Sequence, residues 1–196
     1  MFAHLQPVEL EKSYRLINHG PTVLVSAQYQ DERDVMAASW ACAVEFSPAK
    51  VSVVLDKSCK TRSLIEQSGY FALQVATLKQ LEILYHLGTH SLYDLPDKLK
   101  QSGVRLFQFE GFEHIPVVQD CSAWLLCQLI PEPHNQQNHD LFMGRVVAAF
   151  ADDRVFHHGH WHFQDAAPEW RSLHHVAGGH FYTIGEPVSA KNAVTR

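Results

Sequence analysis

The chain lacks most of the features by which a sequence declares its chemistry. Its longest apolar run is the six residues Val146 to Ala151, far short of the roughly 20 that a spanning helix requires, so no membrane role is expected. The opening MFAHLQPVELEK does not follow the charged-then-apolar order of a signal peptide, and a cytoplasmic protein is expected. Lysine and arginine total 16 against 21 acidic residues, for a net charge of -5. With no basic run, the chain has no electrostatic footprint for a phosphate backbone, and nucleic acid is not an expected partner. Cys42, Cys59, Cys121 and Cys127 form no C-x-x-C pair. The apolar settings SWACAV and CSAWLLCQL suit small buried thiols better than disulfides or a zinc ribbon. A G-x-G-x-x-G dinucleotide signature is absent, which argues against a Rossmann dehydrogenase. So are internal repeats, low-complexity linkers and a convincing Ser-His-Asp or paired-carboxylate set.

What is present is the composition of a folding chain. With 196 residues, 46% hydrophobic and 19% charged, it is long enough to bury its own core, and a single domain spanning 1–196 is expected. PVELEKSYRLIN reads as a short leading helix. TVLVSAQYQ, VMAASWACAV and KVSVVLD read as three successive strands, separated by the turn-like DERD and FSPAK. TRSLIEQSG reads as a two-turn helix with Thr61 as its hydroxyl cap and Gly69 at its left-handed exit. YFALQVA is a strand. Residues 77–103 form a helical insertion, in which TLKQLEILYHLG and SLYDLPDKLKQSG each begin at Thr or Ser and finish at Gly. VRLFQFE, SAWLLCQLI, HDLFMGRVVAAF and HFYTIG are further strands, with IPEPHNQQNH as a connection. Many closely spaced strands with short helices between them predict a mainly β protein, a closed antiparallel barrel with peripheral helices.

Three stretches carry candidate chemistry. In DKSCKTRSLI a strand leads through Lys57, Ser58, Lys60 and Thr61 into a helix N-terminus, where free N–H groups and the positive dipole end attract anions such as phosphate. An ordinary capped helix with solvated lysines is the alternative. In VMAASWACAVEFSP the small residues Ala37, Ala38 and Ser39 let a flat ligand approach the backbone, or else a helix pack closely. HHGHWHF places four of the fourteen histidines within seven residues. Alternation would put His158, His160 and His162 on one strand face, as a zinc, copper or nickel site would need.

MAASWACAVEFSPAKVSVVLDKSCKTRSLIEQSGYFALQV, HDLFMGRVVAAF and HHVAGGHFYTIGE together resemble the successive blocks of the flavin reductase-like, FMN-binding split-barrel family. The resemblance runs from about Val23 to Glu186. It implies a six-stranded antiparallel Greek-key barrel, a homodimer, and FMN near the subunit interface. It further implies that Met36, Ala37, Ala38, Ser39 and Trp40 lie along the isoalloxazine, with Phe46, Ser47 and Pro48 shaping the same wall. By the same resemblance Lys57, Ser58, Lys60 and Thr61 hold the phosphate, and His139 lies by the flavin or nicotinamide. His175 (or His174) and Phe181 (or Tyr182) would close over the ring system. Gly144 is expected where a backbone or ligand approaches its strand. One departure is Cys59, where many members carry an arginine; Lys57 or Lys60 would then supply the charge without a two-pronged contact.

The implied function is an oxidoreductase passing electrons from NADH or NADPH through FMN to a second acceptor, with the flavin doing the electron chemistry. The rivals are an FMN-holding carrier without nicotinamide activity and a metal-binding protein built on the histidine cluster. In the family frame HHGHWHF falls on a turn and a polar connection. Its histidines are expected to be solvated or hydrogen-bonded loop residues, with no metal among the site groups.

Overall fold

A computed structural model describes residues 4–190; the ends of the expected 1–196 domain, 1–3 and 191–196, lie outside the described residues. The strands are β1 (Leu5–Pro7), β2 (Val23–Tyr29), β3 (Glu32–Ala38), β4 (Ala41–Phe46), β5 (Ala49–Val54), β6 (Tyr70–Val75), β7 (Leu106–Phe107), β8 (Val117–Val118), β9 (Ala123–Ile130), β10 (Leu141–Asp152), β11 (Phe156–His157), β12 (His160–Trp161), β13 (Leu173–Ala177) and β14 (His180–Thr183). The α-helices are α1 (Lys60–Ser68), α2 (Leu81–Thr89), α3 (Lys98–Ser102) and α4 (Pro133–His139). No described helix is long and apolar enough to cross a membrane.

One antiparallel sheet carries the architecture, in the order β3-β2-β6-β9-β10-β5-β4, with β1 also paired to β10. Its outermost strands β3 and β4 are consecutive in the chain and joined by Ser39 and Trp40 alone. Two residues span only about 7 Å when extended, so the sheet must curl until its edges meet, which is a barrel left split along one seam. VMAASWACAV is therefore two strands with a corner, not one. At that corner the Trp40 carbonyl accepts the Val54 N–H at 3.0 Å. The sheet has eight strands where the resemblance implied six: β1 pairs the last three residues of β10, beyond the part that pairs β5, and the corner at Ser39–Trp40 divides β3 from β4.

Strand alternation sorts the apolar residues into two cores. Val23, Val25, Phe71, Leu73 and Val75 point into the barrel with Leu64 and Ile65 of α1. Leu24, Val35, Ala72 and Leu126 point outward and are covered by Leu84 and Leu87 of α2 and by Ile115 and Val117. Burial on both faces explains why β2 and β6 read as nearly continuous apolar runs. At Gly144 a Cβ would stand 2.5 Å from the Phe71 ring, so the glycine makes room for a core aromatic.

Several local expectations are corrected. The β2–β3 turn is only Gln30 and Asp31, since Tyr29 pairs Glu32 and Asp34 pairs Ala27, so most of DERD is strand. The leading helix is a 3-10 segment, Leu10–Leu16. Thr61 does not cap α1; it follows the N-cap Cys59 and donates to Asp34 Oδ2 at 2.7 Å. In the insertion, Gly88 does not end a helix but lies inside α2, and of SLYDLPDKLKQSG only Lys98–Ser102 is helical; the residues before Pro96 form a turn, in which the Asp94 and Leu95 N–H groups donate to the Ser91 carbonyl at 3.1 and 2.9 Å. VRLFQFE pairs only at Leu106–Phe107, and PHNQQNH of the presumed connection is α4.

Candidate functional site

The covering of the outer face by α2 leaves a cleft along β3. One part, a cavity of about 270 Å³, is lined by Thr22, Ala37, Ser39, Leu84, Tyr85, Gly88, Thr89, His175, Gly178 and Phe181. The adjoining part, about 230 Å³, is lined by Asp34, Met36, Ser58, Cys59, Lys60, Leu87, Gly88, Thr89, His90, Ser91, Asp94 and Lys98. The two share Gly88 and Thr89, and together they fall in the range of roughly 300–1,000 Å³ usual for small-molecule sites. A Cβ on Gly88 would lie 3.1 Å from the Ala37 Cβ, so side-chain bulk at either position narrows the passage between them.

The apolar end is walled by the β13–β14 hairpin. The His175 backbone N–H donates to Thr22 Oγ1 at 2.8 Å, and its ring meets Phe181 with centroids 5.0 Å apart. Behind it, His19 Nε2 and His174 Nε2 lie 3.1 and 3.3 Å from the Ser172 hydroxyl. Burial first, and His174 second, push His19 down to about 4, so it is neutral near pH 7.

The other end is polar and pre-wired. The Ser58 N–H and hydroxyl both bind Asp56 Oδ1, at 2.8 and 2.6 Å, and these bonds hold Asp56 below the usual carboxylate range. Lys60 Nζ donates to Glu32 Oε2 at 2.8 Å, which raises its pKa. Lys98, from the insertion, is 1% exposed and pairs with the equally buried Asp34 at 3.1 Å. That ammonium also acts on the Cys59 thiol, although burial, the larger effect, raises the thiol's pKa. Beneath the loop, the buried Arg62 binds the Leu55 carbonyl at 3.1 Å, Gln136 carbonyl at 2.8 Å and Asp140 Oδ1 at 2.5 Å. It ties the end of β5 to α4 and so fixes where the α1 N-terminus points.

The sequence-nominated residues divide accordingly. Met36, Ala37, Ser39, Ser58, Lys60, His175 and Phe181 line the cleft. Ala38 faces the barrel core, and Thr61 is fully buried against Asp34. Lys57 reaches away to the Gln137 carbonyl at 2.9 Å. Trp40 and Phe46 are 75% and 62% exposed on the outer edge, with Ser47 and Pro48 beside them. His139 is exposed at the end of α4, against His134. The residues missed are Thr22, Tyr85, Gly88, Lys98 and Arg62. Gly88 carried a readable signal, since a glycine within a helical pattern marks close packing as well as a stop.

These features define a split-barrel protein with a two-ended cleft along the edge strand β3, aromatic and small at the end by the outward-facing Ala37, cationic and hydroxylic at the end by Asp34 and Met36. Residues 14–170 match the flavin reductase like domain, and the chain belongs to that family. It is similar to an FMN-binding domain of a flavin reductase-like enzyme from Shewanella baltica OS155, with 55% identity, TM-score 0.93 and coverage of 95% of this chain and 97% of that one. It is 38% identical to the protein YddH of Escherichia coli (strain K12) over 94% of this chain and 97% of the relative. Flavoredoxin of Desulfovibrio vulgaris (Miyazaki F), at 20% identity, shares the fold with TM-score 0.74 over 89% of this chain and 91% of its own.

Proposed function

We propose that the cleft binds FMN and that the protein is an oxidoreductase passing electrons from NADH or NADPH to a second acceptor. The observation that carries this reading is the joining, through Gly88 and Thr89, of a small-residue aromatic cavity to one lined by Ser58, Lys60 and Lys98. FMN has that polarity, with a flat ring system at one end and a phosphate at the other. Ala37 and Ser39 leave the β3 backbone open to a ring, with His175 and Phe181 on the facing wall. Ser58, Lys60 and the first N–H groups of α1 suit a phosphate. The missing guanidinium at Cys59 is offset by two ammonium groups from separate elements. Both already have carboxylate partners, so holding a dianion calls for Lys60 to exchange Glu32 for the phosphate.

The chemistry a flavin supplies when bound is acceptance of a hydride equivalent and onward delivery of electrons. The protein's share is to orient reactants and limit water. A homodimer belongs to the proposal: the β4 edge, with Trp40, Val44 and Phe46 exposed, is an apolar border that a second subunit would cover, bringing further groups to the open cleft. His139 would act from such an assembly, since within one chain it does not line the cleft. The test is anaerobic mixing of FMN-loaded protein with NADH and with NADPH, followed at the flavin absorbance band. Bleaching by either supports a reductase. Bleaching by dithionite alone leaves an FMN-holding carrier, and failure to take up FMN overturns both.

A further inference from the structure

We propose that His157, His162 and Asp165 form a site for a divalent transition-metal ion, zinc by preference, separate from the cleft. The three belong to a hairpin whose shape the backbone fixes. Phe156 pairs Trp161 and His157 pairs His160 across a turn in which His158 and Gly159 take left-handed φ values of 52° and 75°. Because the turn falls at His158, the alternation of His158, His160 and His162 expected from the sequence is broken. His157 and His162 instead become diagonal neighbours on one face, a relation within reach of large side chains. Their rings stack with centroids 3.8 Å apart and planes 7° from parallel.

The segment after the hairpin brings the carboxylate. The His162 N–H donates to the Val155 carbonyl at 2.8 Å, and the next residue, Phe163, is locked in a small core with Val155 and Trp170. A 3-10 turn over Phe163–Asp165 then returns Asp165 Oδ2 to 3.5 Å from His162 Nδ1, too long for a hydrogen bond. His162 Nε2 is buried and has no hydrogen-bond partner among the described residues, so neither nitrogen of this ring is committed to a hydrogen bond.

One ligand atom from each of the three lies within 4.8 Å of the other two. Ligands about 2.0–2.2 Å from a tetrahedral zinc stand about 3.4 Å apart, so closure takes side-chain shifts on the order of 1 Å and the turning of one imidazole out of the stack, since a ring nitrogen's lone pair lies in the ring plane. Two imidazoles and a carboxylate suit zinc and its transition-metal neighbours and do not suit magnesium or calcium, which take oxygen. The fourth position is left to water. His158 and His160 line a different cavity, of about 550 Å³, beside Glu9, Lys12 and Arg15, and do not belong to the ligand cluster. They serve as built-in controls. The inference does not rest on the flavin reading, since none of its ligands lines the cleft.

The test uses full-length protein without a histidine tag, titrated with zinc by calorimetry and with cobalt by its visible absorbance. One equivalent binding at micromolar concentration or tighter is expected, with tetrahedral cobalt bands. His157→Asn/His162→Asn should weaken binding by about 100-fold or more, exceeding what loss of an outer-shell group costs, and Asp165→Asn by roughly 10-fold. His158→Asn/His160→Asn should bind as the parent does. Thermal melts establish folding; should the first pair fail to fold, Asp165→Asn, at an exposed position, carries the test. Absence of saturable zinc binding, binding that survives loss of all three ligands, or loss of binding in the control pair overturns the proposal.

Discussion

The cleft along β3 and the hairpin over residues 156–162 are built in opposite ways. The cleft draws its lining from the residue before β2, from β3, α1, α2, α3 and from β13–β14, and much of what it offers is space: Ala37, Ser39 and Gly88 contribute little more than backbone. The hairpin crowds four imidazoles into one short stretch and shares no lining residue with the cleft. A flat, elongated ligand needs an open strand and distant groups converging on it. A single ion needs a few donors held by a tight turn. The density of reactive side chains along a sequence is therefore a guide to ion sites and a poor guide to cofactor sites.

The comparison can be broken from the cleft side first. Lys98→Met leaves Asp34 charged and unpaired in the interior, which should destabilise the fold by about 3–5 kcal/mol. Urea unfolding should show most of this recovered in Asp34→Asn/Lys98→Met; an unaltered single variant would mean that the buried pair does not hold α3 to β3.

Acid should loosen the apolar wall next. His19 titrates near its ordinary value of about 6.5 when unfolded and at about 4 in the fold. The folded state binds fewer protons, so this contribution is fully present above about pH 6.5 and is lost as pH falls toward 4. It amounts to roughly 3 kcal/mol, and His19→Gln should flatten stability across that window.

A smaller effect sharpens the role of space. Gly88→Val, crowding Ala37, should weaken FMN binding by about 10-fold, with an overpacking cost of about 1–3 kcal/mol in stability. Fluorescence titration with FMN checks the first and thermal melting the second; unchanged affinity would remove the passage from the proposed site. Smallest of all, His158→Ala and His160→Ala should leave FMN affinity unchanged and stability within about 0.5 kcal/mol. A loss of bound flavin in either would erase the separation between the two regions.

Much of this was legible in the chain. The strand segments, the α1 exit at Gly69 and the loop bearing Ser58 and Lys60 follow from local rules, because β-branched runs, helix exits and loop-to-helix transitions depend on neighbouring residues. The corner at Ser39–Trp40 did not show, because nothing local distinguishes a strand that continues from one that crosses a seam; curling of the whole sheet decides it. Thr61 read as a cap because a threonine hydroxyl favours that position, yet α1 starts earlier, with Cys59 as its N-cap, and the hydroxyl donates to Asp34, 27 residues earlier.

By itself the sequence determined the class: a mainly β chain of ordinary globular composition, with small residues at 37–39 and a cationic, hydroxyl-bearing loop before a helix. Only the tertiary structure decided that Lys98 reaches that loop, that Gly88 sets the spacing at Ala37, and that His157, not His158 or His160, faces His162. The reason is physical. Periodicity and turn chemistry act over a few residues, whereas a cleft and a ligand set are made where distant segments pack, and packing is settled by the chain as a whole.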